Sequence, residues 1–193
     1  MKLPWPAGLW RRWVGGDRRT SVLRAIPADA VCAEIGVWKG DFSDRIRTLA
    51  RPRMLHLVDP WRFVAAYPQR WYGGASARDQ SDMDRIYEDV VRRFAGDPRV
   101  AIHRLESAAA ARHLADTDFD WVYVDGDHSF HAVLDDLENW ASRIKPGGVL
   151  AGDDYSWRDE HGAQPVQRAV RAFIARKPPR DLTIAGDQFL MRL

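Results

Sequence analysis

The chain has 193 residues, enough for one domain with a sizeable core, and its 46% apolar and 29% charged content excludes a disordered or fibrous protein. A formal net charge of +2 gives no field that calls for a polyanionic partner, so the abundant arginines read as dispersed over helix faces and nucleic acid is not expected. The single cysteine, Cys32, can form no internal disulfide, which fits a reducing, cytoplasmic setting, and no stretch is apolar for long enough to span a bilayer.

In chain order, residues 1–28 read as a leading helical segment without the uninterrupted apolar core of a signal peptide. Its Trp5, Trp10 and Trp13 beside Arg11 and Arg12 suit packing on the domain or on a second subunit, which puts a homo-oligomer in view. The rest, 29–193, reads as one domain built by alternation. Runs rich in β-branched residues at 30–37, 53–59, 100–106, 120–126 and 147–154 predict strands. Between them, helical periodicity places Phe42, Ile46 and Leu49 on one face, then Ile86, Val90 and Phe94 behind a cap at Ser81. It recurs with Phe130, Val133, Leu134 and Leu137, and again with Val166, Ala169, Val170 and Phe173. Such alternation with nearly continuous apolar strands predicts an α/β fold, a doubly wound and mostly parallel sheet covered on both faces. The tail LTIAGDQFLMRL adds an antiparallel hairpin around Gly186-Asp187. Residues 60–80 break the rhythm: the segment is long for a strand-to-helix connection and carries Trp61, Phe63, Tyr67, Trp71 and Tyr72, as a binding loop or lid would.

The chemistry gathers at strand ends. The first strand runs into EIGVWKG, where Gly36 and Gly40 permit a tight turn and close approach of a ligand. The pattern is Glu-x-Gly-x-x-x-Gly, not the G-x-G-x-x-G of dinucleotide sites, which argues against a nicotinamide dehydrogenase. A carboxylate at Glu34 is a poor neighbour for a pyrophosphate but suits a cofactor carrying amine and sulfonium charge. Asp59, ending the second strand, can accept hydrogen bonds from ribose hydroxyls, and Glu106-Ser107 ends the third near where an adenine edge would lie. The fourth strand ends in WVYVDGDHSF. If it lies beside the fifth, their tips are about 5 Å apart and Asp125 stands with Asp153 and Asp154. Like charges at that range raise one another's pKa unless something positive sits among them. A hard divalent cation, Mg²⁺ first and Mn²⁺ or Ca²⁺ next, is the natural occupant. His128 lies one turn beyond Asp125, placed to act as a base toward a hydroxyl acceptor, while Asp127 would either orient it or cap the following helix.

The ordered set EIGVWKG, LHLVDPW and DFDWVYVDGDHSFHAVLDDLENWASRIKPGGVLAGDDY resembles the class I S-adenosylmethionine-dependent methyltransferases from about Val31 onward. The acids after strands four and five make it similar to metal-dependent small-molecule O-methyltransferases of the macrocin and mycinamicin type. That resemblance implies Glu34, Gly36 and Gly40 on the methionine and ribose side of S-adenosylmethionine, Asp59 on the ribose, and Ser107 by the adenine. It implies Asp125 beside the cofactor and, with Asp153 and Asp154, on the metal, and His128 as base. The expected partner is a hydroxylated small molecule. A metal-independent transferase with another acceptor, and a non-catalytic RNA-associated module using Arg11, Arg12, Arg18 and Arg19, are the alternatives.

Overall fold

The computed structural model describes residues 18–193, so the expectations for Trp5, Trp10, Trp13, Arg11 and Arg12 lie outside the described residues. A 3₁₀ helix at Arg18–Ala25 leads into strand β1 (Val31–Ile35). Helix α1 (Asp41–Arg45) follows and winds on as a wider π-type turn over Ile46–Ala50. Then come β2 (Met54–Val58), α2 (Gln80–Phe94), β3 (Val100–His103), α3 (Ser107–His113) and β4 (Phe119–Val124). The chain closes with α4 (Phe130–Ala141), β5 (Ile144–Gly152), α5 (Pro165–Arg176), β6 (Asp181–Ala185) and β7 (Gln188–Arg192).

The strands form one seven-stranded sheet in the order β3-β2-β1-β4-β5-β7-β6. The pairs among β1 to β5 are parallel, and β7 runs antiparallel to both β5 and β6. Strand order reverses between β1 and β4, which opens a crevice at their carboxyl ends where such sheets bind ligands. Strand side chains alternate between faces, and both faces are packed. Val122 joins Leu137, Trp140 and Phe173 on one side, while Trp121 and Tyr123 join Phe42, Leu57 and Met83 on the other. Each of these large side chains contributes on the order of 1.5–3 kcal/mol by leaving water. That double cover holds the strand tips in place. No helix among the described residues is long and apolar enough to cross a membrane.

The sequence expectations need three local corrections. Helix α2 is capped by Asp79, whose carboxylate accepts from the Asp82 backbone N–H at 3.1 Å; Ser81 instead donates its hydroxyl to Asp79 at 2.7 Å. Helix α3 was not expected, because its seven residues are too few for a periodic apolar stripe. Strand β5 begins at Ile144 rather than at 147, with Lys145 to Gly148 as its irregular first part and Gly147 at φ 82°. The predicted hairpin forms, with Ala185 paired to Gln188 across Gly186-Asp187.

Candidate active site

At the β1–β2 side the acids are met by neutral donors. Glu34 is 1% exposed and accepts a hydrogen bond from the Ser43 hydroxyl of α1. Burial pushes its carboxyl up to about 8, against the opposing pull of Ser43 and of Arg19. Asp59 accepts three backbone N–H bonds, from Val37 at 3.0 Å and Trp38 at 2.9 Å on one oxygen and from Trp61 at 2.7 Å on the other. Burial raises its pKa and those donors oppose the rise. In this conformation Asp59 ties the turn after β1 to the loop after β2. Trp38 and Trp61 pay a backbone cost for it, with φ of 54° and 41°, a region that bulky residues rarely adopt.

The two glycines are required for different reasons. A Cβ on Gly36 would stand 2.1 Å from the Asp125 carbonyl oxygen, so only glycine lets the β1 turn touch the β4 tip. Gly40, at φ 78°, starts α1, and a Cβ there would press the Phe94 ring at 3.0 Å. Ser107 opens α3 and accepts from the Trp140 indole at 2.9 Å. The same hydroxyl is bonded to the carboxyl of Asp136, which burial pushes up to about 7. Ser107 thus anchors the loop after β3 to α4. A cavity of about 440 Å³ opens beside it, with Pro60, Trp61, Leu105 and Glu106 among its walls; Asp125, Asp153 and Asp154 are not part of it.

The β4–β5 side is built from charges. Val124 pairs with Gly152, so the expected adjacency holds and Asp125, Asp153 and Asp154 leave neighbouring parallel tips. Positive charge does sit among them, and the chain itself supplies it. Arg19 pairs with Asp125 through one nitrogen and lies 3.2 Å from Asp153 through Nε. Its guanidinium rests 4.4 Å over the Phe42 ring, and Tyr123 accepts from Nε at 3.2 Å. Burial opposes its charge, but Asp125, Tyr123 and Asp153 outweigh burial and raise its pKa. Asp153 also accepts from the Gln188 amide and from the Asp154 backbone at 2.8 Å, so it is turned toward Arg19 and β7.

His128 stands on the other side of the same acids. Its Nε2 lies 3.2 Å from Asp154 and 3.5 Å from Asp125, yet it is buried without a well-directed hydrogen bond among the described residues. Burial works against the imidazolium; Asp125 and Asp154 prevail and raise the histidine's pKa. Burial likewise raises Asp154, with His128 opposing, and raises Asp153, with Asp125 adding to the rise. Asp125, His128 and Asp154 bring one ligand atom each within 4.8 Å of one another. One imidazole nitrogen with two carboxylates is a donor set that fits a divalent cation. Asp154 is held at φ 58°, a conformation aspartate tolerates better than most residues. The geometry therefore groups Asp125 and Asp154 with His128, while Asp153 faces away from that trio.

The aromatic segment 60–80 folds over this side. Tyr72 donates to Asp127 at 3.3 Å, and Asp127 also accepts from the Ser129 backbone at 2.7 Å. Ser129 caps α4, accepting from Ala132, so Asp127 shapes the turn and tethers the loop rather than orienting His128. Trp71 meets Trp38 at 5.7 Å, and Trp157 sets its ring edge-on to His128 at 5.5 Å. His56 and His103 bond each other at 3.0 Å away from this crevice and are structural. Sequence reasoning placed Tyr72 in a binding loop but missed Arg19, Trp157 and Asp136 as neighbours of these acids. Only Asp136 carried a signal, a charged residue on the apolar stripe of α4.

Residues 33–155 match the family described as Methyltransferase domain. Among solved structures, the O-methyltransferase NovP superposes with a TM-score of 0.58 at 20% identity, over 92% of this chain and 80% of that one. The N-methyltransferase NodS from Bradyrhizobium japonicum WM9 gives 0.59 at 16% identity, over 91% and 92%. CalS11, a TDP-rhamnose 3'-O-methyltransferase of calicheamicin biosynthesis, gives 0.56 at 15% identity, over 90% and 77%. At these identities the superpositions establish the fold. No curated protein sequence matches the chain.

Proposed function

This chain belongs to the methyltransferase-domain family and is an S-adenosylmethionine-dependent methyltransferase, and from that premise we propose that it methylates a hydroxyl oxygen of a small molecule with help from a divalent cation. The observation that carries the proposal is the convergence of Asp125, His128 and Asp154, one ligand atom each within 4.8 Å of one another, at the tips of adjacent strands. Asp125, His128 and Asp154 would hold the cation, which supplies acidification of a hydroxyl bound beside it. The chain's own part is to aim the acceptor. Its oxygen attacks the sulfonium methyl in line, the carbon–sulfur bond breaks, S-adenosylhomocysteine leaves and the hydroxyl proton passes to solvent water. Glu34, Gly36 and Gly40 would seat the methionine and ribose side, Asp59 the ribose, and Ser107 the adenine. Sugar-modifying and other O-methyltransferases among the structural neighbours support an oxygen acceptor.

Arg19 supports a second reading without metal. Its guanidinium already balances Asp125 and Asp153, which leaves Nε2 of His128 to take the hydroxyl proton as general base while Asp125 and Asp154 steady the resulting imidazolium. Nε2 cannot do both, so the readings exclude each other. Transfer assayed with a chelator and then with added Mg²⁺ or Mn²⁺ separates them. Loss and metal-specific recovery are expected; undiminished turnover in excess chelator refutes the metal role.

A further inference from the structure

Arg70 lies in the aromatic segment with its guanidinium stacked 4.6 Å over the ring of Trp157, the same ring that meets His128 edge-on at 5.5 Å. Its neighbours in sequence are paired: Arg62 with Glu106 at 2.8 Å and Arg78 with Asp82 at 3.1 Å. Arg70 has no carboxylate partner among the described residues, although Asp127 is close by in the fold through Tyr72. A guanidinium held over an indole face keeps N–H donors of its fork for another partner. Such a fork suits bidentate binding of a carboxylate or phosphate. On the floor of the crevice Arg19 and His128 already engage Asp125, Asp153 and Asp154, which leaves Arg70 on the wall above them as a cation open to an acidic acceptor.

We infer that Arg70 and Trp157 form the specificity wall of the acceptor site and select a hydroxylated small molecule that also bears a carboxylate or phosphate. This rests on the reading of the β4–β5 tip as the acceptor side. The acceptor's hydroxyl faces His128, its ring or apolar face lies against Trp157, and its anionic group is clamped by Arg70.

Calorimetric titration of the full chain tests it, with and without saturating S-adenosylhomocysteine, using 3,4-dihydroxybenzoate against catechol and 4-hydroxyphenyl phosphate against hydroquinone. Each acid is expected to bind at least about tenfold more tightly than its neutral counterpart, and Arg70→Gln should erase that difference, with Arg70→Lys restoring part of it. The better-bound of the two acids identifies carboxylate or phosphate as the preferred group. Equal affinities within both pairs, no binding by either acid, or an acid preference that survives in Arg70→Gln would overturn the inference. So would a loss of S-adenosylhomocysteine affinity in Arg70→Gln with the acid preference unchanged, which would assign the guanidinium to the cofactor's own carboxylate. The melting shift with S-adenosylhomocysteine is read on the same wild-type sample. Its absence would count against the cofactor site, while the acid comparison without S-adenosylhomocysteine still decides the role of Arg70.

Discussion

The two halves of the sheet's carboxyl edge solve the same problem differently. On the β1–β2 side, Glu34 and Asp59 are satisfied by a hydroxyl and by backbone N–H groups, all of them neutral dipoles fixed by the fold. On the β4–β5 side, Asp125, Asp153 and Asp154 are met by Arg19 and His128, whose side chains carry or can take up formal charge. Fixed dipoles make a rigid socket suited to a cofactor that is bound in every turnover. Exchangeable charges make a place where a cation or an acceptor can displace what is already there. On the proposed reading, the first half binds the cofactor and the second carries the chemistry.

Substitution on the second half should therefore cost activity and spare the socket. Asp154→Asn, or His128→Asn, is expected to lower turnover by about 10²- to 10⁴-fold while S-adenosylhomocysteine affinity stays near wild type, as measured by kinetics and calorimetry side by side. A parallel collapse of both would erase the distinction between the halves. Asp59→Ala strikes the other half and should do the reverse. It orphans three backbone donors, so stability should fall by about 3 kcal/mol or more and cofactor affinity should fall with it, read by thermal melting with and without S-adenosylhomocysteine. Wild-type melting in that variant would contradict the tie between the two loops.

The smallest expected effect is a pH dependence. Burial holds Glu34 at about 8 against an ordinary 4.5, so between those values the folded chain keeps a proton that the unfolded chain has released. Its contribution to stability is intact below that window and declines as pH rises through it. Glu34→Gln removes the titration, so the variant should melt a few degrees above wild type at about pH 8 and close to it at about pH 5. An equal offset at both values would mean that Glu34 does not carry the proton.

Much of this was legible in the chain, for physical reasons. Apolar strands alternating with helical stripes leave one economical solution, and the strand-end acids Glu34, Asp59, Asp125 and Asp154 follow from that alternation because parallel strands present all their carboxyl tips at one edge. His128 was legible as well, one turn after Asp125. Arg19 was not. Its partners are more than a hundred positions away, and a guanidinium reaching back into the sheet edge leaves no periodicity or spacing to detect. The failure to place Asp153 apart from Asp154 has a similar origin, since the turn at Asp154 with φ 58° and the amide of Gln188 from β7 decide which way each carboxylate points. Arg70 and Trp157 belong to irregular segments, where contact is settled by packing alone.

The account turns on the β4–β5 tip being a cation site that Arg19 shares with a divalent ion. Calorimetric titration of Mn²⁺ into the chain saturated with S-adenosylhomocysteine tests this most directly. One ion per chain is expected for wild type, tighter binding for Arg19→Gln, and none for Asp154→Asn. No uptake by either wild type or Arg19→Gln would contradict the account.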